Sequence, residues 1–162
     1  MTADIERLLD ETGWQLLQAL QENARLSFQA LGQRVGLSAP AVAERIRRME
    51  DAGIIKGYRA EIDTALIGLP ITAIVRISTP MGERYSQFAT TAPEIAEVLE
   101  CYHVTGNDAL VMKVAVSSVK HLESLIDRLS VYGQVTTSIV LSAPVTHRTI
   151  TRQTLQPPED ER

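Results

Sequence analysis

The 162 residues contain one cysteine, one tryptophan, two phenylalanines and four tyrosines, and aromatics make up only 4%. A single cysteine, Cys101, excludes an internal disulfide and points to a reducing, cytoplasmic setting. With so few aromatics, aliphatic side chains must fill the interior. Long apolar runs are missing as well. ITAIV and LVMKVAV are too short or too interrupted for a bilayer span of about 20 residues, so no membrane partner is expected. The opening MTADIERLLDE has neither a basic n-region nor an apolar h-region, so no signal peptide is expected. There is no G-x-S-x-G, no P-loop and no G-x-G-x-x-G. Cys101 and His103 supply two of the four ligands that zinc wants, and His121 and His147 lie in other elements. Glu97, Glu100 and Asp108 make no paired-carboxylate site. The chain therefore reads as a non-enzyme with no metal and no cofactor.

What the chain does have is charge asymmetry. Its formal net charge is −4. Residues 25–59 nevertheless carry seven basic groups (Arg25, Arg34, Arg45, Arg47, Arg48, Lys56, Arg59) against three acidic ones (Glu44, Glu50, Asp51). Residues 63–162 hold eight basic groups against eleven acidic ones. Screening confines each charge to about 8–10 Å, so a local basic patch on an acidic protein can still hold phosphate.

The periodicity predicts helix over residues 1–22. Leu9, Leu16, Leu17 and Leu20 lie on one face, Thr12-Gly13 interrupts the run, and Thr12 is a candidate cap. Ser27 is the N-cap expected for SFQALGQRV, with Phe28, Leu31 and Val35 inward. Gly36-Leu37-Ser38 reads as a tight turn. Ser38 then caps a third helix with Pro40 in its first turn, and Gly53 ends it. Two short helices joined this way make a helix-turn-helix. IIKGYRAEI (54–62) reads as a wing or strand. Beyond Asp63 the pattern runs strand (69–79), helix (83–92, with Tyr85, Phe88 and Ala89 on one face), strand (94–106), strand (109–116), helix (119–133), strand (134–143). That is the ferredoxin-like βαββαβ order. The fold class is α+β. We expect a winged helix-turn-helix domain at 1–62, a linker at 63–68, a ferredoxin-like domain at 69–143 and a polar tail at 144–162, with QPPEDER disordered.

On the third helix Val42, Ile46 and Met49 share the core face. Ala41, Arg45 and Arg48 cluster on a flank, while Pro40, Glu44 and Arg47 point away from the core. Small residues allow close approach to a groove, and the arginines can reach base edges or phosphates. Arg45 and Arg48 are the favoured DNA contacts, with Arg47 meeting phosphate or water. Glu44 and Arg48, spaced i, i+4, can instead pair with each other. The full candidate interface to double-stranded DNA is Ser27, Gln29, Ser38, Ala39, Pro40, Ala41, Glu44, Arg45, Arg47, Arg48 and Lys56.

RLSFQALGQRVGLS followed by ERIRRMEDAGIIKGY closely resembles the DNA-binding half of the leucine-responsive/asparagine-regulator (Lrp/AsnC) transcription factors. The resemblance continues through ECYHVTGNDALVMKV and GQVTTSIVL, so it spans about residues 9–143. It implies a sequence-specific transcriptional regulator whose DNA binding or assembly is modulated by a small amino-acid effector. It also implies a homodimer that assembles to tetramers or octamers. Alternate apolar residues in LPITAIVRIST and VMKVAV give a physical reason for the same dimer, because a lone sheet face would stay wet. The resemblance directs the effector to the turn Val104, Thr105, Gly106, Asn107 and Asp108 and to the hydroxyls of Thr136 and Ser138. Those two hydroxyls share a strand face. Many relatives carry Gly-Asp-x-Asp where this chain has Gly106-Asn107-Asp108-Ala109. The lost negative charge favours a neutral amino acid. The turn alternatively serves only as a hairpin. Two other functions remain open at this point: a ligand-independent DNA-wrapping protein, and a tetrapyrrole decarboxylase-like enzyme with His103 as acid.

Overall fold

The computed structural model describes residues 3–78 and 83–155. The side chain of Tyr85 and the QPPEDER segment lie outside the described residues. The chain divides into two compact units. One holds the residues up to Ala60 together with the segment from Val145 on, and the other holds Glu61–Pro144.

Among the described residues the first unit has four α-helices: α1 (Ala3–Leu8), α2 (Glu11–Glu22), α3 (Phe28–Val35) and α4 (Ala39–Asp51). The break between α1 and α2 is where the Thr12-Gly13 interruption places it, but the cap is different. Asp10, not Thr12, accepts the Gly13 amide at 2.8 Å. A carboxylate at this position also suits the positive end of the helix. The first-turn backbone at Gly13 lies so close to the end of α1 that a Cβ there would meet the Leu8 carbonyl oxygen at 1.9 Å. Leu16, Ala19, Leu31, Val42 and Ile46 form the core, with Leu20, Leu26, Val35, Leu37 and Ile55 packed against it. Phe28 departs from its expected inward position and is exposed. It follows the Ser27 cap at the start of α3 and lines an open groove with Leu26, Ala43, Ile46 and Tyr58.

Residues 54–62 form no strand, so the expected wing is absent. The helix end takes the backbone donors that a ladder would use. The amides of Ile54 and Ile55 both donate to the Met49 carbonyl, at 2.9 and 3.2 Å. The Tyr58 hydroxyl then donates to Glu50 at 2.9 Å, holding the segment along α4.

The C-terminal segment is not a free polar tail over its described part. The Gln21 side-chain amide donates to the Ile150 carbonyl at 2.9 Å and accepts the Ile150 N–H at 2.9 Å. This two-bond clasp, followed by a short 3-10 turn at Arg152–Leu155, fixes the segment within the first unit.

The second unit follows the expected order: β1 (Ile71–Ser78), α5 (Glu83–Thr91), β2 (Val98–His103), β3 (Leu110–Val116), α6 (Val119–Leu129), β4 (Gln134–Ile139). The sheet order is β2-β3-β1-β4, and every neighbouring pair is antiparallel. Ala73, Val75, Ile77, Leu110, Met112, Val114 and Val116 face one side, where they meet Phe88 of α5 and Leu122, Leu125 and Leu129 of α6. Phe88 stacks edge-on against Tyr132, centroids 5.0 Å apart. Ala89, expected beside Phe88, is exposed instead. The alternating apolar residues of β1 and β3 are thus already covered within the unit. The opposite sheet face, which carries no helix among the described residues, presents Thr72, Ile74, Arg76, Val111 and Lys113, with Thr136 and Ser138 from β4 and Glu100 and Tyr102 from β2.

Candidate nucleic-acid interface and ligand site

The turn between α3 and α4 is built by backbone chemistry. Ser27 and Ser38 each spend their hydroxyl on a helix cap, accepting from Ala30 at 3.1 Å and from Ala41 at 3.4 Å. Gly36 takes the left-handed conformation, φ 72°, that ends α3, where a side chain would be strained. A Cβ on Gly32 would lie 2.3 Å from the Leu37 carbonyl oxygen. This close approach sets how tightly α4 folds back on α3.

The α4 core face is as read: Val42, Ile46 and Met49 are buried. Pro40, Ala41, Glu44, Arg47 and Arg48 are exposed along the rest of the helix, and Ala39 is half-buried. Gln29 and Lys56 are exposed nearby in the chain.

The three arginines differ in kind. Arg47 is held by two carboxylates of its own helix: Glu44 accepts from Nε and Nη2 at 3.1 and 2.8 Å, and Asp51 from Nη1 at 2.7 Å. Glu44 therefore pairs with Arg47, not with Arg48. The Arg47 hydrogen bonds hold the Glu44 carboxyl below its ordinary range, and Glu44 raises Arg47 in turn. Arg48 is exposed and makes no ion pair among the described residues. Arg45 departs most from expectation. Its guanidinium turns inward to the Asp10 carboxylate and donates to the Arg7 carbonyl at 3.3 Å. Its side chain is only 23% exposed, and its Nε is buried without a partner. Burial works to raise the Asp10 carboxyl, but the Gly13 amide and Arg45 outweigh it and hold it below the ordinary value. Arg45 thus ties α4 to the α1–α2 junction. No local pattern signals this contact, because the two partners lie 35 residues apart.

The second candidate site sits at one corner of the helix-free sheet face. The turn 104–108 is pinned to β1. The Ala109 amide donates to the Ile77 carbonyl at 2.9 Å, and the Ser78 hydroxyl donates to the Asn107 carbonyl at 2.9 Å. The Val104 amide closes the turn onto the Ala109 carbonyl at 3.2 Å. Gly106 has φ 112°, a conformation that needs glycine. Thr105, Gly106 and Asn107 are exposed, while Val104 and Asp108 are half-buried. Thr136 stands opposite Arg76 and Ser138 opposite Ile74 in the β1–β4 register. Arg76, which sequence reasoning missed, links the two halves. Its Nη2 donates to the Ser138 hydroxyl at 3.4 Å, and its Nε lies 3.9 Å from Asp108. Its signal was present: a lone arginine in the apolar strand ITAIVRIS.

Two further carboxylates gather partners elsewhere in this unit. Glu100 lies 3.4 Å from Lys113, and the Tyr102 hydroxyl donates to it. Glu97 lies 3.0 Å from His121 Nε2 and also bonds Arg128. Burial raises the Glu97 carboxyl, but His121 and Arg128 outweigh it and keep it low. Cys101 and His103 share the sheet side of Met112 and Leu110. No group of three or more metal-binding side chains occurs among the described residues.

A capped helix-turn-helix followed by an antiparallel βαββαβ unit, with a polar corner on its open face, defines a two-unit DNA-binding regulator. Two family models match the same division: the AsnC-type helix-turn-helix domain over residues 9–50 and the Lrp/AsnC ligand binding domain over residues 72–150. A Bacillus subtilis HTH-type transcriptional regulator, YezC, itself uncharacterized, is 40% identical over 139 residues, covering 86% of this chain and 98% of its own length. The Neisseria meningitidis transcriptional regulator NMB0573, solved with L-methionine, superimposes with TM-score 0.83 at 28% identity, covering 91% of this chain and 99% of its own. The feast or famine regulatory protein Rv3291c of Mycobacterium tuberculosis, also complexed with L-methionine, gives TM-score 0.81 at 30% identity over 88% of this chain and 99% of its own. The chain belongs to the Lrp/AsnC family of transcriptional regulators.

Proposed function

We propose that this protein regulates transcription by binding operator DNA through α3 and α4, and that a neutral amino acid modulates that binding or the assembly that delivers it. The observation that carries the effector half is the meeting of Asp108, Thr136 and Ser138 at one corner of the sheet. The L-methionine complexes of the two structural relatives lend it support. At the DNA, Arg48 with small Ala41 and Pro40 forms the reading surface. Ser27, Gln29, Ser38, Ala39, Glu44, Arg47 and Lys56 border it, and Arg45 holds the helix in place. The helix-free sheet face, with Ile74, Val111 and Tyr102 among its polar groups, supports a homodimer and larger assemblies of dimers. Two recognition helices then meet DNA about 34–36 Å apart. The working compartment is the cytoplasm. Residues 1–62 serve as reader and 69–143 as sensor.

A mapped operator tests the reading. Arg48→Ala is expected to weaken binding and lower the salt slope by about one, with the melting temperature unchanged. Wild-type affinity across salt would remove Arg48 from the interface. An operator affinity and a sedimentation profile that stay the same across a panel of amino acids would remove the effector.

A further inference from the structure

We propose that the C-terminal segment 145–155 is a second DNA-contacting element, whose Arg148 and Arg152 hold backbone phosphates beside the bases read by α4. The assignment rests on the DNA-binding reading above and extends it to a distant part of the chain. The segment, VTHRTITRQTL, contains two arginines and no acidic residue. Both arginines are exposed, and neither forms an ion pair among the described residues. The segment is also held in place on the unit that carries the helix-turn-helix. The Gln21 clasp fixes the backbone of Ile150 to α2, and the 3-10 turn at Arg152–Leu155 follows. Arg148 and Arg152 therefore flank a backbone already ordered, so less conformational entropy is lost when they meet DNA.

The surface between this segment and α4 is continuous and basic. Ile150 lines a groove with Trp14, Arg25, Lys56 and Arg59. A neighbouring groove, lined by Phe28, Ala43 and Arg47, runs beside α4. Leu20, Ala24 and Tyr58 border both, so the two adjoin. Arg25, Lys56 and Arg59 are exposed and make no ion pair among the described residues. Glu22, the acid in the Ile150 groove, lies 3.9 Å from Arg34. Duplex DNA carries one negative charge per about 1.7 Å of axis. A basic strip leading away from a recognition helix suits those phosphates, which fix register without reading sequence. Residues 54–62 form no wing, and the clasped segment supplies the flanking contact that a wing would make. Glu159, Asp160 and Glu161 follow in the sequence and are the competing partners for the two arginines.

The test measures binding of the full chain to a mapped operator duplex and to a scrambled duplex of equal length, from 50 to 200 mM salt. Wild type is compared with Arg148→Ala/Arg152→Ala, Arg148→Lys/Arg152→Lys and Arg48→Ala. The double alanine variant is expected to bind both duplexes more weakly by the same factor. Its salt slope should fall by about two for each protomer on the DNA. The affinity lost across that salt range is then about tenfold smaller per protomer than in wild type. The double lysine variant keeps the charge and should keep the slope. Wild-type affinity and slope in the double alanine variant, while Arg48→Ala binds weakly, overturns the proposal and leaves the DNA-binding reading intact. Failure of wild type to bind either duplex overturns both. A rise in affinity shows that the arginines serve the acidic residues 159–161 instead of DNA, and overturns it. A changed ratio between the two duplexes, or loss of the wild-type assembly in sedimentation, overturns it as well.

Discussion

The Asp10 carboxylate serves two groups at once, the Gly13 amide and the Arg45 guanidinium. Removing it uncaps α2 and leaves a largely buried cation without its counter-charge. Asp10→Ala is therefore expected to cost about 1–2 kcal/mol in urea unfolding. Arg45→Ala should lower stability in the same assay, and Arg48→Ala should not. The pH dependence follows from the depressed Asp10 carboxyl. A group held below its ordinary 3.8 contributes its full stabilisation above that value and loses it as pH falls through the folded value. The gap between the melting curves of wild type and Asp10→Asn should thus hold steady above about pH 5 and narrow as pH falls below 3.8. A gap that stays constant would show that the carboxylate charge does no such work. The core face of α4 was legible in the sequence because Val42, Ile46 and Met49 repeat with the helix. The Arg45 tether was not, because its partner comes from a distant segment and arginine looks alike in both roles.

At the scale of elements, β1, β3 and α6 were legible as periods of 2 or 3.6, while α5 was placed correctly but only Phe88 of its expected face is seen buried. Ser27 and Ser38 were legible as caps, since each precedes an apolar helical run. The wing was not, because IIKGYRAEI has strand composition and only the Met49 carbonyl decides where its amides go. Which side of the sheet lies open was also hidden, since alternation marks a covered face without saying what covers it. The α3–α4 turn yields a sharp expectation. Gly32→Ala drives a methyl group into the Leu37 carbonyl, and the turn must open to relieve the clash. Operator binding should be lost, while L-methionine titration of the same variant gives the wild-type isotherm. In the second unit, Leu125→Ala empties a fully buried position between α6 and the sheet. It is expected to cost about 2–5 kcal/mol by denaturant unfolding.

At the scale of the whole molecule, the chain leaves the first unit near Ala60 and comes back to it at Val145. No periodicity announces that return, which one glutamine amide fastens to one backbone position. Gln21→Ala removes both bonds, and each is worth about 1 kcal/mol. Trypsin should then cut after Arg148 and Arg152 several-fold faster in the folded protein. Equal cleavage rates would show that the clasp does not hold the segment. The Gln21 amide reads only the N–H and the carbonyl of residue 150, never its side chain. Any amino acid but proline satisfies it there. Recombination between paralogues could therefore exchange the whole sensor half, and an incoming half of unrelated sequence would still be fastened by the resident glutamine.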